Sequence, residues 1–185
     1  MSDIEKAKIP SSNLPDSRRE AIGFLEHNPG KRLLRCVRRY QAAKGRGPVR
    51  WVRRKWAVLW HRVWTILCSS DIPLELDVGG GLLLPHPYAI VIHPDVVIGP
   101  NCLIFQGVTL GTSGPDSGLP VLGGHVDVGA GAKVLGDVTI GDHSMIAANA
   151  VVVEDVPAGT LVGGIPARVL KTLDWIEGKP SVDPI

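Results

Sequence analysis

A chain of 185 residues with 44% hydrophobic and 21% charged residues has the composition of a soluble domain with room for a core, while 22 Gly and 15 Pro point to turn-rich β structure. The net charge of +2 conceals segregation, because Lys31 to Arg62 holds twelve of the twenty basic residues and no Asp or Glu. Three cysteines, Cys36, Cys68 and Cys102, lack metal-ligand or CxxC spacing, which argues against a zinc site and a disulfide framework and for reduced thiols in a cytosol.

The N-terminus is polar, with Asp3, Glu5, Lys6 and Lys8 and no apolar core of signal-peptide type, so a cytoplasmic protein is expected. Ser17 to His27 and Arg32 to Ala43 read as short amphipathic helices, and Gly45-Arg46-Gly47-Pro48 breaks the chain before a third, Val49 to Leu67. In that helix Trp51, Trp56, Trp60 and Trp64 are expected on one face, which suits packing against the rest of the protein or a neighbouring subunit. Basic residues beside Trp also suit peripheral contact with the inner face of an anionic membrane. Arg53, Arg54, Lys55, His61 and Arg62 carry too much charge for a membrane-spanning segment. No recognition motif accompanies the basic run, so nucleic acid is not an expected partner.

From Ile92 an aliphatic residue recurs at every sixth position: Ile98, Ile104, Leu110, then Leu122, Val128, Val134, Ile140, Ile146 and Val152, with Asp116 alone breaking the series. Four places after most of them sits a small residue, among them Val96, Cys102, Val108, Val126, Ala132 and Ala150. Neither an amphipathic helix nor an alternating strand meander has a six-residue period. A triangular coil does: each hexapeptide forms one flat side and one corner, three complete a turn of about eighteen residues, and the aliphatic side chains stack inward. The expected fold is therefore an all-β solenoid preceded by a short helical region. Ser113-Gly114-Pro115-Asp116-Ser117-Gly118 is loop-forming, and the phase resumes at Leu122, so a loop is expected to replace part of one coil. His125 and His143, eighteen residues apart, should stack on successive coils as a solvated ladder, and His93 should face solvent. Gly164-Ile165-Pro166-Ala167-Arg168 leaves the repeat, and a short helix with a loose tail is expected from Asp174. The division expected is 1–70 basic and helical, 71–170 solenoid, 171–185 helix and tail.

The stretch from Asp71 to Leu170 resembles the serine acetyltransferase branch of the hexapeptide acyltransferases. The likeness rests on the repeat, on Leu84-Pro85-His86 followed by Ile90-Val91-Ile92, on Val108-Thr109-Leu110-Gly111, on Gly129-Ala130-Gly131-Ala132-Lys133, and on Ile165-Pro166-Ala167-Arg168. It implies a left-handed parallel β-helix, a homotrimer as the unit of assembly, and acetyl-CoA held between adjacent subunits, with no metal. It places His86 at the catalytic base and Asp71 at the carboxylate that orients it. Such a pair suits the chemistry, because a hydroxyl is a poor nucleophile at neutral pH and imidazole titrates near neutrality, roughly at 6.5. Gly111, Ala130 and Ala148 match positions along the pantetheine arm, and Arg168 and Lys171 could meet the nucleotide phosphates.

The chain also departs from that pattern. The family has an Asp just before the catalytic His, where this chain has Pro85, and Asp-Arg-His-Pro in the loop, where this one has Ser117-Gly118-Leu119-Pro120. The groups that would hold the ammonium and carboxylate of an amino acid are missing, so free L-serine is expected to be a poor acceptor, and a sugar or lipid-linked sugar hydroxyl is the rival. The region before the solenoid is also shorter than the family's helical domain, which makes the trimer the expected assembly rather than a dimer of trimers. A γ-class carbonic anhydrase shares the solenoid but needs two zinc-binding histidines five residues apart, and this chain has no such pair. A non-catalytic trimeric scaffold is the remaining alternative.

Overall fold

The computed structural model describes residues 12–23 and 26–173, and beyond them the backbone of two short strands. A hexapeptide that turns a corner at its end leaves few residues straight enough to pair, and the solenoid strands are two or three residues long: β1 (Asp77–Val78), β2 (Val91–Ile92), β3 (Val97–Ile98), β4 (Leu103–Ile104), β5 (Thr109–Gly111), β6 (Val121–Leu122), β7 (Asp127–Val128), β8 (Lys133–Leu135), β9 (Thr139–Ile140), β10 (Met145–Ile146) and β11 (Val151–Val152). They form three parallel sheets, β1-β3-β6-β9, β4-β7-β10 and β2-β5-β8-β11, one for each side of the triangle. The periodic aliphatic residues from Ile92 to Val152 all point inward and none is more than 2% exposed. The small residues four places on are buried too, so each hexapeptide sends two side chains to the core.

Register shows where the coils depart from eighteen residues. Val91 pairs with Thr109, Asp127 with Met145 and Lys133 with Val151, each eighteen apart. Pairs that span the Ser113–Gly118 loop, such as Thr109 with Lys133 and Leu103 with Asp127, are twenty-four apart, so the loop inserts one whole hexapeptide and the phase survives. Pairs that span His86, namely Asp71 with Val91, Asp77 with Val97 and Leu83 with Leu103, are twenty apart. Two extra residues are therefore lodged at the corner that carries His86.

A solenoid must cover the aliphatic residues of its end coils. At the N-terminal end this falls to α1 (Pro29–Ala42), capped by the Asn28 side chain, which accepts from the Lys31 N–H. Its Leu33, Leu34 and Val37 pack with Ile72 and Leu76 of the first coil. Arg38 donates to the Val78 carbonyl at 2.7 Å and pairs with Glu20 at 2.8 Å, and the Glu20 carboxylate in turn accepts from the Gly81 and Leu82 N–H groups. At the other end β12 (Thr160–Gly164) joins the second sheet through β10 and is covered by β13 (Ala167–Thr172) in an antiparallel hairpin. α2 (Pro48–Cys68) packs on α1 and leads into the first coil. No described helix is long and apolar enough to cross a membrane.

Four expectations are corrected. The helix expected over Ser17 to His27 is a single 3-10 turn, Ser17–Glu20, because Asp16 caps it, Ala21 is already extended, and Glu20 is held by the solenoid; residues 24 and 25 lie outside the described ones. Trp51 does not share a face with the other tryptophans of α2. At 3.6 residues per turn it lies on the far flank, with the Lys55 ammonium 5.7 Å from its ring. Of the four only Trp64 packs against the core, while Trp51, Trp56 and Trp60 are exposed. In place of the helix expected from Asp174, the backbone forms β14 (Trp175–Ile176) and β15 (Lys179–Pro180), paired antiparallel. The tail expected beyond residue 180 lies outside the described residues.

Candidate active site

The corner between the second and third sheets stacks Tyr88, Gln106, Ala130 and Ala148, one per coil. The carbonyl of each of the first three accepts from the next coil: Gly107 N–H to Tyr88 at 2.9 Å, Gly131 to Gln106 at 2.8 Å and Asn149 to Ala130 at 2.8 Å. In later coils three residues separate the paired strand position from this stack, as from Leu103 to Gln106; in the first coil five do, from Leu83 to Tyr88. The surplus pushes out Pro85 and His86, with His86 exposed at the tip, while Pro87 is buried again. Flanking prolines stiffen the bulge, since each fixes its own φ and restricts the residue before it. The Phe105 ring of the coil beneath lies 6.5 Å from the imidazole, tilted by 37°.

Two supports of this bulge carried no signal in the repeat. Ser70 is buried, and its hydroxyl donates to the Pro87 carbonyl at 2.6 Å while accepting from the Ile90 N–H at 3.1 Å, which ties both sides of the bulge to the segment entering the first coil. Gly30, at the start of α1, sits so close to Leu84 that a Cβ there would fall 2.0 Å from the Leu84 carbonyl oxygen. Only glycine lets α1 press on the residue that precedes the bulge. Asp71 follows Ser70, is exposed, and donates its N–H to Ile90 at 2.7 Å. Among the described residues no hydrogen bond joins the Asp71 and His86 side chains. Backbone pairing brings their segments together.

Of the positions expected to line the pantetheine arm, Ala130 and Ala148 share the His86 edge, two and three coils further on, and present nothing larger than methyl groups. Gly111 does not share it. It closes β5 at the opposite edge of the third sheet, where a Cβ would meet nothing within 4 Å. Arg168 and Lys171 lie on β13, with Arg168 paired to Glu154 at 3.1 Å between exposed side chains.

The loop before β6 is folded inward. Ser117 Oγ accepts from the Ser113 and Gly114 N–H groups, Leu119 packs against the core, and a Cβ on Gly118 would fall 2.7 Å from Asp137 Cβ. This conformation has no room for a longer side chain at Gly118 and turns Leu119 away from solvent.

His125 and His143 stack as expected, at the corner between the first and second sheets, both in the left-handed region with φ of 54° and 59°. They are not a solvated ladder. Their Nδ1 atoms are 2.8 Å apart and His125 is buried. Burial, with His143 and Arg19 nearby, pushes the His125 pKa down to about 4, and burial pushes Asp127 up to about 6 against the pull of Arg19. His93 is surface-lying, with its ring 40% exposed and 3.8 Å from Asp95. Among the described residues no three His, Cys, Asp or Glu side chains group closely enough to hold a metal ion.

The chain is 44% identical over 107 residues to the serine acetyltransferase of Synechococcus elongatus, an overlap covering 57% of this chain and 44% of that protein. It is 35% identical over 133 residues to the serine acetyltransferase of Escherichia coli K12, covering 71% and 48% of the two chains. The crystal structure of a serine acetyltransferase in complex with coenzyme A from Brucella abortus strain S19 matches with a TM-score of 0.67 at 32% identity, over 79% of this chain and 57% of that one. The relatives of this solenoid are serine acetyltransferases. The fold is their left-handed β-helix, as the sequence led us to expect. The chain spans about half the length of the first curated serine acetyltransferases it matches. No family model matches it.

The histidine pair predicts an acid dependence of stability. An unfolded histidine titrates near 6.5 and His125 near 4, so between these values the unfolded chain binds a proton that the folded chain refuses, and His125 lowers stability as pH falls through that window. Asp127, raised from 3.8 to about 6, works the other way as pH falls from 6 to 3.8. His125→Asn, which keeps a residue tolerant of the left-handed backbone, should therefore gain thermal stability relative to wild type as pH drops from about 6.5 to 4. A difference in Tm that stays flat across this range would contradict the assignment.

Proposed function

We propose that this protein is an acetyl-CoA-dependent O-acetyltransferase of the serine acetyltransferase type, acting on the hydroxyl of serine or a serine-like acceptor. The observation that carries the reading is the two-residue bulge that holds His86 out of an otherwise regular edge, above the small residues Ala130 and Ala148. His86 takes the proton as the acceptor hydroxyl attacks the thioester carbonyl, and Asp71 orients the imidazole and stabilises its charged form. When the tetrahedral intermediate collapses, the C–S bond breaks and the imidazolium returns its proton to the departing thiolate. The products are an acetyl ester and free coenzyme A. His86→Ala should lower turnover at least about a hundredfold with acetyl-CoA binding little changed, and Asp71→Asn should act the same way more mildly. Thiol release by His86→Ala at the wild-type rate would remove His86 from the mechanism.

The assembly we propose is a homotrimer. Gly111 lies at one edge of the third sheet and Ala130 with Ala148 at the other, so a cofactor lying between neighbouring copies meets both edges, and Arg168 and Lys171 of the terminal hairpin are the cations for its phosphates. Light scattering should give the mass of three chains, and a fully active monomer would overturn this.

A second reading concerns the acceptor. The inward fold of the loop, with Gly118 against Asp137 and Leu119 on the core, favours a sugar or lipid-linked sugar hydroxyl, which needs no site for an ammonium or carboxylate. Specificity depends on groups placed to meet the substrate, and around this loop and at Pro85 the charged ones are replaced. Comparing kcat/KM for L-serine with that for a panel of sugars decides between the two. Serine turnover of order 10⁴ M⁻¹s⁻¹ or above, as ordinary enzymes show with their own substrates, would sustain the amino-acid acceptor and reject the sugar.

A further inference from the structure

α2 is a helix turned inside out. Only Ala57 and Cys68 are buried, and at 3.6 residues per turn Val52, Trp56, Leu59, Trp60, Val63 and Ile66 fall in one unbroken stripe covering about a third of its circumference. Val49 opens the stripe and Leu67 closes it, no polar residue interrupts it, and every member is exposed, Trp56 to 56%, Leu59 to 54% and Ile66 to 76%. A patch of this size on a soluble surface marks an interaction site. Lys55 and Arg62 flank it on one side. On the other, a groove of about 500 Å³ between α1 and α2 is lined by Arg39, Arg50 and Arg53 together with Trp56 and Trp60 of the stripe. Within the described residues none of these five cations is in an ion pair with a carboxylate, whereas Lys31 and Arg38 of the same basic run are.

We propose that α2 docks this protein on bilayers containing anionic phospholipid, its stripe lying at the headgroup boundary and the arginines of the groove on phosphate headgroups. Charge selects this occupant over a second copy. Lys31 to Arg62 contains twelve basic residues and no acid, so two copies meeting through this face would oppose like charges, while an anionic surface complements them. Tryptophan is also the residue suited to the boundary between headgroup and acyl chain. The placement has a consequence for the site. α2 ends at Cys68, whose carbonyl accepts from the Ala89 N–H at 3.2 Å, and Ser70 follows with its bond to Pro87, so the end of the docked helix abuts the His86 bulge. The proposal stands on α2 alone and needs no acetyl transfer.

Co-sedimentation of the full chain with vesicles rich in phosphatidylglycerol and with pure phosphatidylcholine vesicles tests it, with tryptophan emission recorded in parallel. Each basic residue at an anionic surface is worth on the order of a fivefold change in binding. Binding to the anionic vesicles should be at least about tenfold tighter, should weaken with salt, and should shift tryptophan emission to the blue. Leu59→Glu with Ile66→Glu, and separately Arg53→Glu with Lys55→Glu and Arg62→Glu, should each cost at least about tenfold in vesicle binding while the oligomer mass stays unchanged. These side chains are exposed, and unchanged circular dichroism and melting would confirm the variants as folded. Equal binding to both lipids, no binding, or a Leu59→Glu/Ile66→Glu protein that falls to a smaller assembly would overturn the proposal, the last because a second copy then covers the stripe. Intact vesicle binding without thiol release would leave docking in place and count against acetyl transfer.

Discussion

Every strand of this solenoid is too short to hold itself, and its N–H and C=O groups find partners only on the coil before or after it. That dependence governs the rest of the molecule. Buried backbone groups must be paired, so each coil has to repeat the path of its neighbour, and any extra residue must be confined to a corner. The chain meets this constraint in two ways. The loop at Ser113–Gly118 adds six residues, one complete side of the triangle, and the ladder resumes between Thr109 and Lys133. The bulge at His86 adds two, which would keep the alternation of inside and outside but make one side longer than the sides stacked on it, and they are expelled at the corner. Both excursions lie where the scaffold can tolerate them, and His86 sits on one of them.

The same constraint explains what could be read from the residues. Positions such as Ile104 and Leu110 are required to be aliphatic by packing against the coils on either side, so their period survives in one sequence. The failures in assigning elements fall outside the repeat. Ser17 to His27 has helical periodicity, yet the Glu20 carboxylate accepts from the Gly81 and Leu82 N–H groups, and a tertiary bond of this kind has no local signature. The segment after Asp174 was assigned by propensity alone, and there backbone pairing prevails over propensity. The tryptophans of α2 were read as packing because aromatic residues usually do, but only Trp64 packs, and Trp56 and Trp60 belong to the exposed stripe.

Within the candidate site, His86 and Asp71 were legible through a motif. Their supports were not. Ser70 lies outside the hexapeptide phase, and what makes it matter is a hydroxyl bridging Pro87 and Ile90 across seventeen and twenty residues. Gly30 is one of 22 glycines, and only its distance from the Leu84 carbonyl distinguishes it. His125 was misread for a related reason. Its eighteen-residue spacing from His143 is visible, but its burial depends on the segment carrying Arg19, which folds back over the corner and donates to the Asn101 carbonyl. A spacing gives the coil and the corner; it does not say what covers them.

The structure also joins two features that look separate along the chain. The end of the basic tryptophan helix and the histidine bulge meet through Ser70, whose hydroxyl is bonded to Cys68, Pro87 and Ile90, and through the Cys68 carbonyl, which accepts from the Ala89 N–H. α1 completes the link, since one face of it covers the first coil and presses Gly30 on Leu84 while another, with Cys36, Arg39 and Ala43, lies along α2. The end cap of the solenoid, the support of His86 and the base of the exposed stripe are thus one packed unit. A corner at the middle of the solenoid could carry a bulge of the same shape, but it would lack this contact with the helices. Placing the bulge in the first coil is what gives the His86 segment and the base of the exposed stripe a common packed support.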